Sequence, residues 1–374
     1  MTAAPVFHLI SADRPHTGPI RLGFLSPHNP FDRRAFSGTV FHAARALGRL
    51  PDVDLRILGH RPPGAIARVL ARRGRTLSDI DTTGLDAVVG LVATPFLDRL
   101  PSDMPFLHVT DATPAFLRDA YGWDVPLAAD AVERRVVSRA ASVVYSSATI
   151  ADRAAVDLDL SDLSADVVPF GVNFDRIPEA PPLKPSLNKP ELLFVGKDWA
   201  RKGGEIALAT LERLRSTGLD AQLTVVGCAP DHLKGHPGLR LEGFLDKNRP
   251  RDAARLSALY TRAHLLILPT RGDCTPMVIA EALAHGTPVL ASDTGGVADM
   301  LGAPAAGRIL PLSAGPDDWA SAITATLADR QAYDWLSEAG HDRARTRLSW
   351  TAWAADVTAL ARKAARTPRT ADAA

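Results

Sequence analysis

The chain runs through one pattern twice: short apolar runs, each followed by an amphipathic or alanine-rich segment, with a proline-rich interruption between the two series. Strand-length runs stand at RLGFLS, VDLRIL, AVVGLV, PFLHV, SVVYS and DVVPF, and then at ELLFVG, QLTVVG, LRLEGF, HLLILPT, TPVLAS and GRILPL. Such runs, spaced by helix-length segments, predict parallel strands joined by crossover helices, the doubly wound α/β class. Helices are expected at Gly38–Leu50, Ile66–Arg73 and Ala128–Arg139, with Ser37 as N-cap of the first, and again at Ser349–Ala364. Between the two series, Ile177–Pro190 carries five prolines in fourteen residues and can continue neither a helix nor a central strand. The expected organisation is a first domain over 1–176, a linker over 177–190, a second domain over 191–345, and a C-terminal helix with a loose tail over 346–374. At 374 residues both domains have room for a core.

Composition removes several function classes. A formal charge of +1 argues against a nucleic-acid carrier. Two cysteines, Cys228 and Cys274, make neither a disulfide framework nor a zinc cluster. No apolar stretch reaches the ~18 residues of a membrane span and no signal-like segment opens the sequence, so a cytoplasmic protein is the expectation. Basic residues cluster at Arg68–Arg75 and in the C-terminal ARKAARTPR. These are solvated helix faces or, alternatively, a peripheral contact with an anionic membrane surface at its inner face. Asp-x-Asp occurs at Asp52/Asp54, Asp79/Asp81 and Asp157/Asp159, and three chance matches show how little the pattern means. His232 and His236 lie in a turn-rich segment with no third ligand, so no metal site is expected.

The chemistry concentrates in two stretches. In DCTPMVIAEALAHGTPVLASDTGG, Asp273 sits on a loop after a buried strand and Glu281 follows eight positions later inside a helix. A further strand then brings Asp293–Gly296 to the same sheet edge, where open α/β sheets bind ligands. Carboxylates accept from sugar hydroxyls, while loop amides and a helix N-terminus face phosphates. In ELLFVGKDWARKGGEIA, a strand runs into Gly196 and a basic loop, placing Lys197, Arg201 and Lys202 before a helix start. Fixed cations at that point neutralise a departing diphosphate without a metal.

These two stretches, with FSGTVFHAARAL, TDATPAF and VVYSSATIADRA in the first half, resemble family 4 of the retaining GT-B glycosyltransferases, from about Arg21 to Arg366. The resemblance implies two Rossmann-like domains facing across a cleft. A nucleoside diphosphate sugar is then held mainly by the second, an acceptor mainly by the first, and a last helix crosses back to the first. Carried over by position, Glu281 is similar to the acid that binds ribose hydroxyls, and Asp273 stands where a glutamate usually contacts the sugar. Cys274, Thr275, Pro276 and Met277 occupy the loop whose backbone faces sugar and phosphates. Lys202 matches the phosphate lysine, Lys197 stands where an arginine is more usual, and Phe244 lies where backbone groups meet the base. Gly38 falls beside the donor phosphates. Asp111 falls near the reacting sugar, with His108 as its competitor; strand alternation makes His108 a buried structural residue.

The implied activity is metal- and cofactor-independent transfer of a hexose-type residue from a nucleoside diphosphate sugar to an acceptor hydroxyl, with retention. The acceptor is a glycan, a lipid-linked molecule or a small molecule, read by the loops Pro27–Phe36 and Thr113–Asp124. Two alternatives share these features: a GT-B nucleotide-sugar epimerase or hydrolase, and a non-catalytic two-lobed sugar-binding protein.

Overall fold

The computed structural model of the protein describes residues 18–60, 80–160, 163–184, 186–302 and 306–367. The helix expected at Ile66–Arg73, the basic run Arg68–Arg75 and residues 1–17 lie outside them. Twelve described strands form two six-stranded sheets, and every pairing between them is parallel. The first contains β1 (Ile20–Leu25), β2 (Val53–Ile57), β3 (Ala87–Leu91), β4 (Phe106–Thr110), β5 (Ser142–Tyr145) and β6 (Ala165–Val167). The second contains β7 (Glu191–Val195), β8 (Gln222–Val226), β9 (Leu239–Gly243), β10 (Leu265–Leu268), β11 (Val289–Ser292) and β12 (Gly307–Leu310). Each apolar run of the sequence therefore supplies one strand.

The second sheet has the order β12-β11-β10-β7-β8-β9, the Rossmann arrangement, which reverses direction between β7 and β10. The described strands of the first follow β2-β1-β3-β4-β5-β6, closer to the flavodoxin order, and reverse between β1 and β3. Both sheets are α/β and doubly wound; only the first departs from a strict Rossmann order. Their burial follows from position. The central strands β3, β4, β10 and β11 are buried at every residue, whereas the edge strand β2 alternates and β6 is largely exposed. Central strands covered on both faces need continuous apolar runs; edge strands do not.

In the first half the helices are α1 (Thr39–Leu47), α2 (Thr94–Leu97), α3 (Pro114–Tyr121), α4 (Ala128–Arg139) and α5 (Ala148–Asp157). In the second they are α6 (Gly204–Ser216), α7 (Pro250–Arg262), α8 (Met277–Ala284), α9 (Val297–Leu301), α10 (Pro316–Ala328) and α11 (Arg330–Thr346), followed by α12 (Trp350–Arg366). Thr113 and Ser147 cap α3 and α5, accepting from the amides of Phe116 and Ile150 at 3.0 and 3.3 Å. Ser37 does not cap α1. It sits at φ 58°, with Phe36 at 47°, in a tight turn that ends on Gly38 at φ 97°, the true N-cap position. The backbone turns too sharply there for the serine side chain to reach back to the helix.

The proline-rich segment has no helix or strand among its described residues. It lies along the second half: the Pro178 carbonyl accepts from His341 Nε2 at 2.9 Å, and the buried Lys184 ammonium donates to the Thr261 carbonyl. The helix α12 packs on α1 and on β3, β4 and β5 of the first sheet. Trp353, Ala354, Val357 and Ala361 are buried there in the same core as Leu22, Phe24, Val40 and Leu47. The return is locked at its start, where the Val172 amide donates to the Leu348 carbonyl at 2.9 Å and the Trp350 indole donates to Asn173 Oδ1 at 3.0 Å. Gly171 permits this approach, since a Cβ there would lie 2.3 Å from the Trp350 nitrogen. Gly171→Ala is therefore expected to force α12 off its seat at a cost of about 3 kcal/mol, read as a lowered urea midpoint. An unchanged midpoint would mean that the crossing can shift freely.

Candidate active site

The C-terminal edges of the two sheets face each other and enclose a cavity of about 440 Å³ lined from both sides. From the first half it receives the loop after β1 (Arg33, Arg34, Phe36, Ser37), Asp111 after β4, and Tyr121 and Trp123 at the end of α3. From the second it receives Gly196, Lys197, Arg201 and Lys202 after β7, Phe244 and Lys247 after β9, and Asp273 and Thr275 to Val278 after β10, with Glu281 on α8. Both topological reversals thus open into one space.

The geometry is set by two buried carboxylates. The helix α8 reads MVIAEALA and is buried almost all round, so Glu281, 2% exposed, has no water to satisfy its charge. It is held by two side chains from separate elements: the Lys247 ammonium binds Oε1, and the Tyr260 hydroxyl on α7 donates to Oε2 at 2.9 Å. Burial beside this carboxylate keeps Tyr260 a neutral phenol, its pKa driven well up. Asp273, 4% exposed, makes the second arrangement. The Lys202 ammonium binds Oδ2, Arg201 Nη1 lies 3.9 Å from Oδ1, and the Tyr121 hydroxyl donates to Oδ1 at 3.4 Å. Arg201 is fixed in turn, donating to the Gly272 carbonyl at 2.6 Å while its guanidinium stacks 4.3 Å from the Tyr121 ring centroid.

Ten of the twelve residues singled out in the sequence line this cavity: Asp111, Lys197, Arg201, Lys202, Phe244, Asp273, Thr275, Pro276, Met277 and Glu281. Gly38 and Cys274 do not. Gly38 lies behind the lining residues Ser37 and Thr39, and its positive φ serves the turn into α1. The Cys274 side chain is buried among Phe116, Tyr145 and Ile150 of the first half, and its amide donates to the Tyr121 hydroxyl at 3.0 Å. Burial raises its thiol well above the usual range, so it is no nucleophile. The pair Gly295–Gly296 supports the site from behind. A Cβ on Gly295, at φ 50°, would stand 1.9 Å from the Asp273 carbonyl, and the Gly296 amide donates to the Cys274 carbonyl at 2.8 Å. His108 is buried in β4 and pairs with Glu133 of α4 at 2.7 Å, away from the cavity that Asp111 lines.

Arg33 and Tyr121 fall within the loops Pro27–Phe36 and Thr113–Asp124 expected to read the acceptor, whereas two bracing residues, Lys247 and Tyr260, had no sequence signal. Lys247 stands in a turn, FLDKNRP, that reads as a solvated loop, and Tyr260 is one apolar position of an amphipathic helix. Only the buried charge of Glu281 demands them.

The two halves are closed on both flanks of the cavity. On one flank Asn248 Oδ1 accepts from the Arg33 amide at 3.0 Å and its Nδ2 donates to Asp32 at 2.7 Å. On the other, Ser146 and Thr275 hydroxyls meet at 2.6 Å, and the Thr149 amide donates to Asp299 at 3.0 Å. Inside, Asp111 faces Asp273. Burial and that neighbouring negative charge raise the Asp111 carboxyl to about 7. Raised in the fold, it binds its proton more tightly there than in the unfolded chain, so its stabilising effect is full at acid pH and lost as pH climbs to about 7. Asp111→Asn should accordingly remove part of the fall in thermal midpoint between pH 5 and about 8. Parallel pH profiles for the two proteins would show the carboxyl to be unshifted.

Residues 189–329 match the family model described as Glycosyl transferases group 1. The glycogen synthase of Mycobacterium tuberculosis is 28% identical over 282 residues, 71% of this chain and 66% of that protein. The phosphatidyl-myo-inositol mannosyltransferase of Mycolicibacterium smegmatis is 31% identical over 172 residues, 44% of this chain and 43% of that protein. The chain thus spans less than two thirds of the length of these curated relatives. Among solved structures, the sucrose-phosphate synthase of Thermosynechococcus elongatus superimposes with a TM-score of 0.65, covering 92% of this chain and 98% of that one, at 17% identity. The second half of the chain is thus similar to the group 1 glycosyl transferases, and the two-domain α/β architecture of the whole is that of the GT-B fold.

Proposed function

We propose that the protein transfers a hexose-type residue from a nucleoside diphosphate sugar to an acceptor hydroxyl, with retention of configuration and without a metal. One observation carries the reading. Lys202 and Glu281, far apart along the chain, line the same cavity between the two sheets, Lys202 in an ion pair that a donor phosphate can replace and Glu281 in one that holds it in place. A diphosphate oxygen competes with Asp273 for the Lys202 ammonium, and the freed carboxylate accepts from sugar hydroxyls. Ribose hydroxyls donate to the remaining lone pairs of Glu281. Its engagement by Lys247 and Tyr260 holds the carboxylate in a fixed orientation. Lys197 stands at the mouth, its ammonium 5.1 Å from the centroid of the exposed Phe244 ring, where a base can stack.

As the glycosidic bond lengthens, negative charge grows on the diphosphate and positive charge on the sugar ring. Lys202, Arg201 and Lys197 are fixed before the reaction begins, so neutralising that charge costs little reorganisation. The departing phosphate oxygen takes the proton of the incoming hydroxyl on the same face. Asp111, across from Asp273, orients that hydroxyl in either protonation state, since its pKa of about 7 lies near neutrality. The bonds on both flanks hold the two halves together beside the site, and closure of such a site against water protects the donor from hydrolysis. The acceptor meets Arg33, Arg34, Phe36, Tyr121 and Trp123 on the first half. The relatives, named as a glycogen synthase and a mannosyltransferase, support sugar transfer as the reaction class.

A scan of labelled nucleoside diphosphate sugars, with and without acceptor alcohols, tests this directly. Product that forms only by hydrolysis or epimerisation would replace transfer as the reaction. With the donor found, Lys202→Ala is expected to lower turnover by about 10²- to 10³-fold; activity within a factor of about two of wild type would take Lys202 out of the mechanism. Glu281→Gln is expected to weaken nucleotide binding about tenfold in calorimetry while the protein stays folded. Glu281→Ala, by contrast, strips Lys247 of its partner and should also lower stability. Unchanged nucleotide affinity in Glu281→Gln would free the carboxylate from any part in the donor site.

A further inference from the structure

A second cavity, of about 390 Å³, shares no lining residue with the first. It lies where the two halves are joined: α1 forms one wall, residues 172–177 another, and the turn between α11 and α12 the third. Three guanidiniums reach it, those of Arg45, Arg49 and Arg345, against the single carboxylate of Asp175. That carboxylate is divided, since it pairs both with Arg45 and with Arg33, 2.8 Å away, which lines the first cavity. Arg49 and Arg345 are exposed at the mouth, and among the described residues the Arg49 guanidinium has no ion pair or hydrogen bond. The cavity is therefore cationic beyond what its own acid offsets.

The seventeen-residue helix α12 begins in this cavity. Its N-cap Ser349 makes no side-chain cap and its first turn carries no acidic residue, so the positive end of the helix dipole is left uncompensated. His42 provides an independent sign. It is 94% buried by its 6% exposure, it lines the cavity, and its ring has no hydrogen-bond partner among the described residues. Burial and the cations Lys247, Arg33 and Arg45 hold its pKa down at about 3, against the opposing pull of Asp175. A neutral imidazole N–H is thus free to donate inside the cavity. The rest of the wall is apolar, with Leu50, Phe174, Ile177, Leu348 and Trp350. This combination fits an anion joined to a compact body rather than a bare ion.

We propose that this junction cavity is a second binding site, taking a phosphorylated small molecule whose phosphate meets Arg45, Arg49, Arg345, His42 and the first amides of α12. Such a ligand competes with Asp175 for Arg45 and returns Asp175 to Arg33, so its occupancy bears on the loop that closes one flank of the transfer site. The inference does not depend on which sugar is transferred, or on whether transfer occurs.

Calorimetric titration of the full chain with inorganic phosphate and with glucose 1-phosphate tests it, using two variants to separate the cavities. In Lys197→Ala/Lys202→Ala, which disables the transfer site, saturable binding is expected to persist. In Arg49→Ala/Arg345→Ala, which changes two exposed side chains and removes the Arg345 bond to the Glu179 carbonyl, affinity is expected to fall about tenfold or more while the thermal midpoint stays close to that of the parent. Tighter binding of glucose 1-phosphate than of phosphate would show that the apolar wall seats the sugar; equal binding would assign the site to phosphate alone. The site is overturned if no saturable binding occurs in the first variant up to roughly 10 mM, or if binding there is unchanged by adding the two arginine substitutions.

Discussion

A carboxylate on a helix that is apolar on every face cannot be left alone, and the arrangement of the site follows from that constraint. Glu281 draws Lys247 from the loop after β9 and Tyr260 from α7 onto its two oxygens. Lys247 also reaches the Ser37 carbonyl in the opposite half at 3.4 Å. One buried charge therefore couples a helix, a neighbouring helix, a loop and the far wall of the cavity. Asp273 does the same through Lys202, Arg201 and Tyr121. Buried ion pairs of this kind add little stability compared with apolar packing, and they are strongly destabilising when one partner is removed. Their value here is positional: they keep charge and hydrogen-bonding capacity in place for a polar ligand.

Much of this could be read from the residues. The twelve strands are legible because parallel strands covered on both faces require continuous apolar runs, and such runs are hard to mistake when helices separate them. Asp273 and the basic loop at Lys197–Lys202 are legible because each follows closely on a buried strand, where chain direction delivers it to the ligand-binding edge, and Glu281 because it interrupts the apolar helix that comes next. What stayed hidden depends on contacts between distant segments. Nothing in FLDKNRP marks Lys247 as a partner for a helix more than thirty residues later. Tyr121 ends a helix of the first half and becomes part of the site only when the halves meet. The Ser37 cap fails for a local reason, the positive φ of Phe36 and Ser37, which no residue preference announces. Cys274 lay in the right loop, but neighbouring side chains on a loop need not face the same way, and its own faces the seam.

The seam deserves weight in its own right as part of the chemistry. The transfer proposed above requires a site that admits a bulky donor and then keeps water out, and a static pocket cannot do both well. Here the contacts across the two flanks are a handful of polar ones, hydrogen bonds worth about 1 kcal/mol each and an Arg34–Asp246 ion pair at 3.8 Å. Bonds of that size hold a closed arrangement without making it permanent. The larger apolar contact, Cys274 among Phe116, Tyr145 and Ile150, lies directly behind the acid loop and ties the position of Asp273 to the first half.

The return of α12 to the first sheet has a consequence for how the chain acquires its shape. Trp353, Val357 and Ala361 fill space beside Leu22 and Val40, more than three hundred residues earlier. A nascent polypeptide leaving the ribosome exposes that hollow throughout synthesis of the second half. The earlier half is thus obliged to wait, incompletely packed, until its missing wedge arrives, and the later half can mature ahead of the half translated before it.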